Sequence, residues 1–228
     1  MKFIIVGGPP SAGKTSVLIH AINHLKKKDK KCMVVKLDCL VANDSEQYKN
    51  HKIKCITGLS TFVCPDHYLA SNLERITNYG LKHHFDFVLV ESAGLCNRCS
   101  PHLRHTLGVT LLDMISGIHA PQKSGPILKS ADVIVLTKGD MISQAEREVF
   151  RMKITLMNRT AKTVEINGNT GQNSSILAKL FESAPVFDPA IALHLKFPMP
   201  GAVCSFCLGE QRVGETYASG NVKLLDIN

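Results

Sequence analysis

"VGGPPSAGKTS", residues 6–16, follows the apolar run Lys2-Phe3-Ile4-Ile5-Val6 near the start of the chain. It fits the pattern G-x-x-x-x-G-K-S/T with Gly8, Gly13, Lys14 and Thr15. Glycines let the backbone curl until the N–H groups of a loop such as Ser11-Ala12-Gly13-Lys14-Thr15-Ser16 point inward at phosphate oxygens. The helix that follows adds the positive end of its dipole. In such a loop Lys14 reaches the β- and γ-phosphates of a nucleotide, and the Thr15 hydroxyl ligates Mg²⁺. The context agrees: an apolar strand precedes the loop, and "TSVLIHAINHL" (15–25) has helical period after it.

Strand-like apolar runs recur at 2–6, 33–37, 53–56, 85–90, 109–113, 132–136 and 162–166, with helical stretches between them. Near-continuous runs such as "FDFVLV" and "DVIVL" suit strands buried on both faces of a parallel sheet. The alternation predicts a doubly wound α/β domain whose ligand sits at the carboxyl ends of the strands. Composition shifts near 185. The expected organisation is a P-loop domain over 1–184 and a tail over 185–228, with a cysteine knuckle at 204–207 and a hairpin turned at Ser219-Gly220-Asn221. A segment of about 40 residues rarely buries enough core alone, so the tail is expected to dock on the main domain.

Mean hydropathy is +0.04, and no apolar run approaches the ~20 residues needed to span a bilayer. The short apolar start runs straight into a phosphate loop, unlike a signal peptide. A cytoplasmic protein without a membrane role is expected. The net charge of +8 invites a nucleic-acid reading. Much of the excess, however, lies in "LKKKDKKC" (25–32), where lysines complement a helix C-terminus. No basic–aromatic alternation suggests a base-stacking platform, so no nucleic-acid partner is expected.

Two further stretches specify the nucleotide chemistry. "VLVESAG" (88–94) ends a buried strand with Glu91, whose carboxylate can hold Mg²⁺ through water, while Gly94 lets a backbone N–H approach the γ-phosphate. In "VIVLTKGD" (133–140) the stem of Lys138 can cover a purine face. The Asp140 carboxylate can accept the paired N1–H and N2–H₂ donors of guanine, a pair that adenine lacks. "EINGNTGQ" (165–172) places Asn167 and Gly168 to run under the base.

In order along residues 1–183, the chain carries "GGPPSAGKTS", Asp38, "CPDH" (64–67) with "ASNL", "ESAG", "SPHL" (100–103), "PQKSGP" (121–126), "TKGD" and "NGNTGQ". It resembles the metallochaperone GTPases of the SIMIBI class, especially the urease accessory GTPase and the hydrogenase nickel-insertion GTPase. The resemblance implies slow, regulated GTP hydrolysis with Mg²⁺ held by Thr15, Asp38 and Glu91. Lys14, Asp38 and Glu91 would carry the chemistry, with either Asp38 or Glu91 orienting the attacking water. It also implies a nucleotide-dependent homodimer that delivers a transition metal, nickel- or zinc-like, to a client metalloenzyme or its accessory proteins. The chain departs from both relatives, since Asp66 interrupts Cys64-Pro65-His67 and "GLCNRC" supplies two cysteines, Cys96 and Cys99.

Without a secretion signal, the eight cysteines argue against a disulfide framework. Cys32, Cys39 and Cys55 lie in or beside apolar runs and are expected to pack. Cys64, His67, Cys96, Cys99, Cys204 and Cys207 are the candidate transition-metal ligands. The pairs 96/99 and 204/207 either share one tetrahedral site or each meet their own copy across a dimer axis. His102 and His105 are weaker additional candidates. The rival class is a nucleotide-gated iron–sulfur protein with a cluster held between subunits. A small-molecule kinase ranks third, because "TKGD" selects a guanine and no acceptor pocket or lid sequence is apparent.

Overall fold

A computed structural model describes residues 1–42, 44–93, 101–197, 210–218 and 222–227. The strands are β1 (Lys2–Gly7), β2 (Cys32–Asp38), β3 (Lys54–Leu59), β4 (Phe87–Ser92), β5 (Leu107–Asp113), β6 (Val133–Thr137) and β7 (Lys162–Glu165). Helices α1 (Lys14–Lys26), α2 (Ser45–Asn50), α3 (Pro65–Lys82), α4 (Ala120–Lys123), α5 (Gly125–Ser130), α6 (Gln144–Met157) and α7 (Ser174–Glu182) lie between or after them. All seven expected strands are present, with ends shifted by at most three residues. The largest shifts are at β3, which closes on Leu59, and at β4, which starts at Phe87 and carries Glu91 and Ser92 inside the strand.

The strands form one parallel sheet in the order β3-β2-β4-β1-β5-β6-β7. The chain turns one way from β1 to build β2–β4 and the other way to build β5–β7. The strand order therefore reverses at the carboxyl end of β1, and that switch point is where residues 8–13 run.

Period-two alternation sorts β1 onto two cores. Ile4 and Val6 pack with Val17, Leu18, Ile22 and Leu25 of α1 and with Leu177 and Phe181 of α7. Phe3 and Ile5 pack with Leu69, Leu73 and Ile76 of α3 on the opposite face. A third cluster joins Ile134 and Leu136 of β6 to Phe150 and Ile154 of α6. That helix starts with a capping box in which Ser143 and Glu146 bond each other's backbone N–H groups.

The described parts of the tail lie on the α3 side. Phe187, Leu195, Val213 and Leu225 are buried in the same cluster as Phe3 and Leu73. The Phe187 N–H donates to the Met1 carbonyl at 2.9 Å, and the Leu225 N–H donates to Asn72 Oδ1 at 2.6 Å. Both the knuckle and the turn at 219–221 lie outside the described residues. The basic stretch after α1 is used locally: Lys26 bonds the carbonyls of His51 and Lys52, Lys28 pairs with Glu182, and Lys31 sits over the Phe85 ring. Among the described residues no helix is long and apolar enough to cross a membrane.

Candidate functional site

The loop after β1 takes its shape from backbone that only glycine adopts freely. Gly8 has φ 143° and Gly13 φ 82°, and a Cβ on Gly8 would collide with the Leu111 carbonyl oxygen. Gly13 then caps α1, whose first residues are Lys14 and Thr15. Lys14 Nζ donates to the carbonyls of Gly8 at 2.9 Å and Pro9 at 2.8 Å. Burial pulls its pKa down to about 8, which nearby Glu91 opposes and Lys36 reinforces.

A cavity of about 360 Å³ opens over this loop, lined among others by Lys14, Thr15, Lys36, Asp38, Asp44 and Glu91. Glu91 is buried at its floor. Its Oε1 accepts from Thr15 Oγ1 at 2.8 Å and Lys36 Nζ at 2.9 Å, and its Oε2 accepts from the Tyr48 hydroxyl at 2.7 Å. Lys36 also reaches Thr15 Oγ1 at 3.3 Å and Asp44 Oδ2 at 3.5 Å. Burial disfavours the Lys36 charge, but Glu91, by charge and by hydrogen bond, with Asp44 and Asp38 behind it, outweighs that and lifts the pKa. Asp38 ends β2 at the cavity wall, and its Oδ1 accepts from the Cys39 N–H at 2.8 Å. This set of hydroxyl and carboxylate oxygens suits Mg²⁺, a hard cation that prefers oxygen ligands.

The "TKGD" stretch after β6 is tied to the same loop. Thr137 Oγ1 donates to the Ala12 carbonyl at 2.8 Å, and Lys138 Nζ donates to that of Ser11 at 2.8 Å. Lys138 holds φ 58°, which turns the chain so that Asp140 follows on an exposed single-turn helix (Gly139–Met141). Asn167 Oδ1 accepts from the N–H groups of Asn169 and Thr170, folding 167–171 into a tight turn. A Cβ on Gly168 of that turn would lie 3.6 Å from Ser16 Cβ, so both segments border the start of α1.

The profile of the nucleotide-binding domain of CobW/HypB/UreG proteins matches residues 2–165. The chain belongs to the CobW/HypB/UreG family. An uncharacterised protein of Methanocaldococcus jannaschii is 44% identical over 227 residues, covering 99% of this chain and 97% of that one. Urease accessory protein UreG of Haloquadratum walsbyi is 25% identical over 199 residues, covering 80% and 95%. HypB from Helicobacter pylori, solved in complex with nickel, superposes with a TM-score of 0.64 at 15% identity, covering 82% of this chain and 91% of that one. At that identity the superposition speaks for the fold alone.

Around this CobW/HypB/UreG nucleotide pocket, Cys64 and His67 are the candidate transition-metal ligands that lie among the described residues. Cys64 is half-buried at the N-cap of α3, at the carboxyl edge of the sheet. His67, one turn on, is buried, and its burial lowers its pKa. It lines a crevice of about 30 Å³ with Ser71, Leu195, Glu210, Arg212 and Tyr217, between α3 and the tail rather than at the phosphates. Asp66, which interrupts the motif, is also buried. Its Oδ1 accepts from Ser92 Oγ at 3.2 Å, and burial lifts its pKa to about 6 against that hydrogen bond. Gly94, Cys96, Cys99, Cys204 and Cys207 lie outside the described residues. Among the described residues, no group of three or more His, Cys, Asp or Glu side chains is placed to hold a metal ion.

Of the two weaker histidine candidates, His102 is placed in the core. His102 lies in the approach to β5, fully buried, with Nδ1 2.9 Å from Ser130 Oγ and Nε2 3.3 Å from the Val109 carbonyl. Burial pushes its pKa down to about 4, reinforced by the charge of Lys196. His102 is a core histidine. His105 is exposed, with φ 59°. Two of the three cysteines expected to pack do so: Cys32 and Cys55 lie in or against the α1 core, and burial raises Cys32 to about 12 and raises Cys55 as well. Cys39 is half-buried, with its thiol 3.4 Å from the Thr61 carbonyl.

Lys36, Asp44 and Tyr48 escaped the sequence reading. One signal was available, because a lysine inside the apolar run "MVVKLD" cannot be buried without a counter-charge. Tyr48 and Asp44 gave none, since α2 and the residues before it are short and polar.

Proposed function

We propose that this protein is a GTP-binding and GTP-hydrolysing maturation factor that carries a nickel- or zinc-like ion to a client metalloenzyme or its accessory proteins. The observation that supports it best is the Ser92–Asp66 hydrogen bond. It joins the strand end that carries Glu91 to the helix start that carries Cys64 and His67. A change at the γ-phosphate end of β4 has a two-residue path to the candidate ligands. The kinship with UreG, and with HypB as a family, points to the same class of work.

In this reading Lys14 leaves the carbonyls of Gly8 and Pro9 for the β- and γ-phosphates, and the loop N–H groups from Ser11 to Ser16 hold the rest. Thr15 and Glu91 would hold Mg²⁺, with Asp38 and Asp44 beside them; when bound, the ion neutralises charge that develops on the phosphates. Glu91 has both oxygens engaged by Thr15, Lys36 and Tyr48, so it serves as a fixed anchor. Asp38, on the cavity wall, is the carboxylate that orients the attacking water. Lys138, Asp140 and Asn167 hold the guanine. Residues 185–228 are an appendage to the GTPase domain of 1–184, and Cys204 and Cys207 serve to fix it in place. The active form is a nucleotide-dependent homodimer in the cytoplasm.

The test is turnover of GTP and ATP by purified protein with Mg²⁺. Hydrolysis of GTP with no comparable use of ATP supports the assignment. Equal binding of the two nucleotides refutes it.

A further inference from the structure

The buried ammonium of Lys36 sits among three oxygens. They are Glu91 Oε1 at 2.9 Å, Thr15 Oγ1 at 3.3 Å and Asp44 Oδ2 at 3.5 Å. Thr15 and Glu91 are also the residues assigned to the divalent cation, so a lysine and a metal ion claim one position. Both charges are positive, and the cavity floor is closed by the Tyr48 hydroxyl on the far oxygen of Glu91. Lys14 is held elsewhere, on the carbonyls of Gly8 and Pro9, so the two lysines do different work.

We propose that Lys36 is a resident cation that competes with the divalent ion for Thr15 and Glu91 and yields only when nucleotide phosphates draw it away. An ammonium on a flexible four-carbon stem suits this task. It neutralises a buried carboxylate, and it can swing to a phosphate oxygen without a change of backbone. Divalent binding then depends on nucleotide. This also gives a reason for placing a charge in a strand otherwise buried on both faces, where it is otherwise expensive.

If the protein handles nickel- or zinc-like ions, as the function proposed above holds, the same arrangement guards the hydrolytic site. Such ions bind nitrogen and oxygen ligands strongly. A hydrolytic site already filled by Lys36 refuses the cargo metal until a nucleotide arrives. The competition itself needs no cargo and stands on the pocket alone.

Mn²⁺ is the probe, counted by the electron paramagnetic resonance of the free ion in titrations of the full chain without nucleotide. Wild type is expected to bind Mn²⁺ at this site at least tenfold more weakly than Lys36→Met or Lys36→Gln, with Lys36→Arg resembling wild type. Adding Glu91→Gln to Lys36→Met should remove the gain, which assigns the ion to this pocket. Adding GDP should tighten Mn²⁺ binding to wild type by more than it does to Lys36→Met. A folded Lys36→Met or Lys36→Gln with wild-type Mn²⁺ affinity overturns the proposal. So does wild type that takes up one Glu91-dependent Mn²⁺ at micromolar affinity without nucleotide, a result that needs no lysine variant to fold. A fluorescent GDP titration without metal is run alongside. Failure of that arm counts against the nucleotide assignment and leaves the Mn²⁺ comparison to judge Lys36.

Discussion

The hydroxyl of Tyr48 donates to Glu91 Oε2 at 2.7 Å, and both residues are buried. Burial and the adjacent carboxylate hold the phenol well above its ordinary pKa, so it is a permanent donor. A short polar helix, α2, thereby fixes the carboxylate at the floor of the phosphate pocket.

Removing that donor leaves a buried carboxylate oxygen short of a partner. Tyr48→Phe keeps the ring and its packing, and should cost about 1–3 kcal/mol of stability in a urea titration. An unchanged midpoint would mean that the pair is not made in solution.

Lys14 supplies a proton-linked signature of phosphate binding. Its folded pKa lies near 8 against an ordinary 10.5. Between those values the unfolded chain holds a proton that the folded chain lacks, so this group makes stability rise with pH across that window. A bound triphosphate restores the charge. Nucleotide binding at pH 8.5 should therefore take up roughly three-quarters of a proton, measured by calorimetry in two buffers of unlike ionisation enthalpy. No uptake at that pH would place Lys14 away from the phosphates.

The sheet could be read from sequence because each buried parallel strand is a nearly continuous apolar run. Val133–Thr137 and Phe87–Ser92 are examples. The phosphate loop was equally plain, since Gly8 and Gly13 are demanded by backbone geometry. The floor of the pocket was not. Lys36, Asp44 and Tyr48 act through three-dimensional proximity to Glu91, which lies 43 to 55 residues away from Tyr48 and Lys36 along the chain. His102 was misread because spacing alone cannot tell a ligand from a core histidine; its bonds to Ser130 and Val109 are made only once β5 and α5 have assembled.

His102 makes the fold sensitive to acid. Its pKa is held near 4 against an ordinary 6.5. The unfolded chain binds a proton between those values that the folded chain refuses, so stability falls as pH drops from 6.5 to 4. The loss is on the order of 3 kcal/mol. His102→Gln removes the titration, and its stability should decline less than that of wild type between pH 7 and 4.5 in paired denaturant series. Parallel declines would rule out His102 as the source.

Asp140 decides which base is accepted. Asp140→Asn should weaken GTP by about 10²-fold, a few kcal/mol. The same change should favour xanthosine triphosphate, whose position 2 carries an oxygen in place of the amino group. Competition against a fluorescent nucleotide measures both. An Asp140→Asn protein that keeps its GTP affinity would remove Asp140 from the base site.

The Ser92–Asp66 bond links the nucleotide strand to the Cys64–His67 helix, and the account stands on that link carrying information. The direct measurement is the affinity and stoichiometry of Ni²⁺ and Zn²⁺ for purified protein, loaded with GDP in one series and with a non-hydrolysable GTP analogue in the other. The account predicts that the two nucleotide states differ in metal affinity or stoichiometry, and that Ser92→Ala narrows the difference. Equal affinity and equal stoichiometry in both states would contradict it.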